Sequence, residues 1–89
     1  MIYLDSGATT LEKPPAVARA MAQAVGEMSS PGRGNYPASQ KAARTAYDCR
    51  EAAAELFHVP APEQVIFTCN ATHGLNIAIR TLVRPGCRV

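Results

Sequence analysis

Apolar positions along the chain fall into three stripes with helical spacing, separated by short apolar runs and turn-forming clusters. Val17, Ala20, Met21, Ala24, Val25 and Met28 trace the first stripe. Pro14-Pro15 stands at its head, where a missing N–H costs nothing, and Ser29-Ser30-Pro31-Gly32 closes it. The second predicted helix runs from Ala38 or Ser39 to Phe57. Ala42, Ala46, Cys49, Ala53 and Leu56 form one face, widened by Ala43, Tyr47, Ala54 and Phe57. So many alanines predict close packing against another element, because little side-chain bulk holds the backbones apart. Arg44 and Asp48 are spaced to pair across one turn, worth a few tenths of a kcal/mol.

The third stripe follows a different opening. Val65, Ile66 and Phe67 are β-branched or aromatic, the composition of a buried strand. Asn70, Ala71, Thr72 and Gly74 are small or turn-forming; Leu75, Ala78, Ile79 and Leu82 then repeat as one helical face that stops near Val83. The stretch reads as strand, tight turn, helix. Such a turn aims unpaired N–H groups outward at the positive end of a helix dipole, a setting for a phosphate. Thr72 adds a hydroxyl. A plain N-cap, with the Asn or Thr oxygen serving the helix itself, is the other use of the same residues. No Gly-x-x-x-x-Gly-Lys or Gly-x-Gly-x-x-Gly fingerprint is present.

Ile2-Tyr3-Leu4 forms a strand-like opening before the Asp5-Ser6-Gly7 turn, and Cys87-Arg88-Val89 looks like the start of another strand. Strand, helix and strand at this spacing make a βαβ unit with a right-handed crossover. The expected fold class is α/β: an N-terminal helical segment, residues 1–62, leading into the first βα unit of a larger domain, residues 63–89. A parallel sheet needs several strands covered on both faces, so the chain is expected to be a piece of a longer protein.

Composition narrows the function. A net charge of +2 over 89 residues gives no case for nucleic acid or an anionic membrane. No signal peptide or membrane-length apolar run is apparent, and the cytoplasm is the default. Cys49, Cys69 and Cys87 are odd in number and lack Cys-x-x-Cys spacing; His58 and His73 lack ligand spacing, and surface or capping roles suit both better than a metal. The single Arg33-Gly34 segment between Gly32 and Tyr36 reads as a connecting loop, although a Gly-Arg-Gly sequence beside a tyrosine also suits an anion.

Several stretches in register resemble one family. Tyr3-Leu-Asp-Ser-Gly-Ala-Thr-Thr10, Lys13-Pro14, Val17 and Ala20-Met21 resemble the opening of cysteine desulfurases, in the class V aminotransferase superfamily. Pro31-Gly-Arg-Gly34, the Arg50 to Phe57 helix, Ile66 to Thr72 with Leu75-Asn76, and Leu82 to Val89 are similar to the loops, helix and turn that follow in that family. The resemblance implies a fold type I pyridoxal-phosphate enzyme, a homodimer when full length. Ala71 and Thr72 would hold the cofactor phosphate through their N–H groups and the threonine hydroxyl. L-Cysteine would be converted to alanine, with sulfur taken by a cysteine thiolate on a mobile loop and passed on to an acceptor protein.

No catalytic residue is assigned within the 89 positions. The Schiff-base lysine and the persulfide cysteine of the family are expected downstream. Lys13 and Lys41 do not match that lysine, and Cys49 reads as inert packing on the second helix. The chain alone is therefore expected to be inactive. Tyr36, His73 and Cys87 depart from the family's commoner histidine, glutamate and aspartate. An aminotransferase or selenocysteine lyase of the same superfamily shares the pattern. A small non-catalytic helical interaction module, or a nucleotide-phosphate site, are the readings from other classes.

Overall fold

A computed structural model describes residues 1–88. It contains three α-helices, α1 (Pro15–Glu27), α2 (Pro37–Phe57) and α3 (Ala71–Leu82), with a 3-10 turn at Pro62–Gln64 between the last two. The chain divides into two compact units, Met1–Cys49 and Arg50–Val89, with the boundary inside α2.

In the first unit, α1 begins with Pro15 after an extended Pro14, whose carbonyl accepts from Val17 N–H at 2.9 Å. It ends as Met28 turns extended and its N–H bonds to the Ala24 carbonyl. The predicted stripe is present, yet none of its residues is buried: Met21 is 66% and Val25 89% exposed. A helical period records which side chains share a face. It does not say what covers that face. The Gly-Arg-Gly loop between α1 and α2 is closed by its own contacts. Ser29 Oγ donates to the Tyr36 hydroxyl at 2.8 Å, and Ser39 Oγ donates to the Ser30 carbonyl at 3.0 Å. Gly34 is fixed by the Tyr36 ring, which occupies the space a Cβ would need. Gly32 takes a φ of 77°, the left-handed region in which glycine carries no Cβ penalty. Lys41 and Glu27 pair across α1 and α2, and Arg44 Nε meets Asp48 Oδ1 at 2.8 Å as the spacing predicts.

In the second unit, α2 ends in a Schellman motif built on a histidine. His58 stands at φ 53°, its N–H reaching the Glu55 carbonyl at 3.3 Å, while Val59 N–H reaches Ala54 at 2.8 Å. Pro60 follows, unable to continue a helix. Ala54 is the one buried hydrophobic residue among those described. The small alanine face of α2 is thus partly packed, with Ala42, Ala46 and Ala53 half-buried, whereas Cys49 is exposed rather than enclosed.

The expected strands are not formed among the described residues. Val65 is extended at φ −92° and ψ 115°, and it leads into Ile66, Phe67 and Thr68 without helix or ladder. Ile2 to Leu4 and Cys87-Arg88 are likewise unpaired; Val89, the last residue of the expected final strand, lies outside the described residues. A strand exists only by exchanging N–H and C=O bonds with a neighbour. Apolar composition supplies the tendency, and no second extended segment answers it here. The α/β architecture is therefore absent from the described residues, which are helical and irregular.

Candidate anion site at the start of the third helix

Asn70 decides where α3 begins. It is extended, with φ −168° and ψ 177°, and its Oδ1 accepts the His73 N–H at 2.8 Å. Its carbonyl accepts the Gly74 N–H at 3.1 Å. This is an ordinary N-cap in geometry, so the capping use of the turn is realised. Ala71 and Thr72, expected in the turn, are the first two residues of the helix.

The cap leaves donors over. The N–H groups of Asn70, Ala71 and Thr72 make no hydrogen bond among the described residues. The carbonyl of Thr72 is taken by Asn76 Nδ2 at 2.9 Å, while its hydroxyl donates to no described residue. No acidic side chain stands in the first turn of α3, and all of that turn except Gly74 is exposed. Free amides at the positive end of a helix, with a hydroxyl beside them and no carboxylate to repel a ligand, form a donor set for an anion. The cap thus uses other N–H groups than the ones left without a described partner.

The residues ahead of the turn hold it in place. Thr68 Oγ1 donates to the Asn70 carbonyl at 3.0 Å, and Cys69 N–H donates to His73 Nδ1 at 3.2 Å. The Arg50 guanidinium lies 5.2 Å from the centroid of the Phe67 ring, within cation–π range, and its buried Nε has no hydrogen-bond partner. A groove of about 460 Å³ opens along α3, lined by Asn70, Thr72, His73, Asn76, Ile77 and Arg80. Arg80 is the one charged side chain in that lining, so the groove has a cationic wall.

The family model for class-V aminotransferases matches residues 2–89, nearly the whole chain. The chain belongs to the class V aminotransferase family. No curated protein and no solved structure matches it. Class V aminotransferases are in general pyridoxal-phosphate enzymes, and the donor set at α3 has the chemistry that a phosphate monoester requires: main-chain N–H groups and a hydroxyl on a helix N-terminus.

The remaining residues weighed on sequence fall elsewhere. Lys13 Nζ donates to the Thr10 carbonyl at 2.5 Å and Lys41 is paired with Glu27, both in the first unit. The Asp5 to Thr9 segment closes on itself. Ala8 and Thr9 N–H bond to the Asp5 carbonyl, and the Tyr3 hydroxyl donates to the Thr9 carbonyl at 2.7 Å. Cys87 Sγ accepts the Arg84 N–H at 3.4 Å around a turn at Pro85-Gly86. Both histidines sit at helix ends, His58 closing α2 and His73 in the first turn of α3. A surface or capping role was expected of both, and His73 takes a capping one, although its partner, the Cys69 N–H, was not read from sequence. Its signal was the three-residue spacing from Asn70, the spacing at which a capping-box Glu or Gln reaches back.

Proposed function

We propose that this chain supplies the phosphate-holding turn of a pyridoxal-phosphate-dependent cysteine desulfurase. The observation that carries the proposal is the run of unpartnered N–H groups at Ala71 and Thr72, beside the Thr72 hydroxyl, at the N-terminus of α3. These groups bind the 5′-phosphate and so fix the cofactor by the part of it that does not react. The cofactor itself, when bound, supplies the electron-withdrawing ring that eases loss of the substrate Cα proton. Asn70 and His73 keep the amides apart from the helix's own capping bonds. Arg80 adds a positive wall to the groove along α3.

The choice of desulfurase within the family rests on the in-register resemblance of residues 3–21, 31–34, 50–57 and 66–76. In this reading L-cysteine is the substrate and alanine the product. The sulfur passes to a thiolate and onward to an acceptor protein, in a cytoplasmic homodimer. The lysine that carries the cofactor is supplied from outside these residues in this reading, because neither Lys13 nor Lys41, the two lysines of the sequence, matches the position that the resemblance implies for it. The 89 residues alone bind and do not turn over. They divide functionally at residue 62, with 63–89 forming the cofactor-facing part.

Pyridoxine 5′-phosphate is the probe that isolates this role, since it has no aldehyde to react with lysines. Titrated into the chain with amide NMR detection, it should shift Ala71 and Thr72, while phosphate-free pyridoxine should not. Equal responses to both compounds would defeat the phosphate assignment. Conversion of L-cysteine to alanine with protein-bound persulfide, by the chain completed with the lysine-bearing sequence, tests the desulfurase; transfer of the amino group to a keto acid instead would make it an aminotransferase.

A further inference from the structure

We draw no further inference here: the strongest candidate, the Arg50 side chain of α2 with its guanidinium over the Phe67 ring and its buried Nε without a hydrogen-bond partner, packs on the segment that leads into the site already described, and nothing in the structure shows which acceptor that Nε takes.

Discussion

Helices α2 and α3 begin in opposite ways. At the start of α2, Pro37 has no N–H to offer, and the N–H groups of Ser39 and Gln40 both reach the Tyr36 carbonyl at 3.0 Å. Ser39 is 1% exposed, and its hydroxyl is spent on the Ser30 carbonyl. At the start of α3 the cap satisfies His73 and Gly74, while the N–H groups ahead of them have no described partner. Both loops contain small residues and both precede a helix, so on sequence each qualified as an anion loop. The difference lies in where the polar groups are spent. At α2 proline removes one donor and only the Ala38 N–H is left without a described partner, whereas the exposed start of α3 keeps the amides of both Ala71 and Thr72.

Giving α3 the beginning of α2 is the most damaging change to the proposed site. Ala71→Pro removes one N–H at a position where proline is compatible with a helix, after an Asn70 that is already extended as a residue before proline prefers. Hydrogen bonds to charged groups are worth about 1.5–3 kcal/mol, so pyridoxine 5′-phosphate affinity should fall roughly ten-fold or more with helicity retained. Titration calorimetry alongside circular dichroism checks both halves.

The reverse experiment concerns α2. Ser39→Ala strips the buried hydroxyl and leaves the Ser30 carbonyl without that donor, a loss of about 1–3 kcal/mol. Denaturant unfolding followed by helicity should register it, with no change in phosphate binding. Asn70→Ala removes the cap of α3 and should cost about 1 kcal/mol, visible as faster exchange of the His73 and Gly74 amides. Fraying that left those two amides protected would show that the cap is not what starts the helix.

The smallest effect is electrostatic. Hydrogen bonds from Lys41 and then Gln23 hold the Glu27 carboxyl below its ordinary value of 4.5. A depressed carboxylate contributes stability that is present above the unfolded pKa and lost as pH falls through the folded one. The first unit should therefore lose a little stability as pH falls below about 4.5. Both side chains are solvent-exposed, and salt should weaken the effect. Glu27→Gln should flatten that acid limb without touching α3.

The helices were legible because their signals are local. The apolar stripe after Pro15, the alanine face of α2 and the four-residue repeat from Leu75 each lie within one element, and the observed bounds follow them. The strands were not, since Val65 to Phe67 had the right composition and no partner to pair with. Cys49 shows the same gap: its place on an apolar face was readable, its exposure was not. At the site, Asn70, Ala71 and Thr72 stood out as turn chemistry. The reach of the His73 ring to Cys69 and the Arg50–Phe67 contact depend on side-chain directions that a linear pattern does not encode.

Sequence by itself determined the three helices, their order, the residues on each face and the family to which the chain belongs. The helices follow from periodicity, capping and breaker residues acting over a few positions, and the family from motifs that stand in register along the chain. Tertiary structure alone decided which helix terminus keeps free amides, which faces stay uncovered and whether an extended run becomes a strand. The last two depend on groups distant along the chain, where a ladder or a covered surface exists only if a second partner arrives, and the first on side-chain directions within one turn.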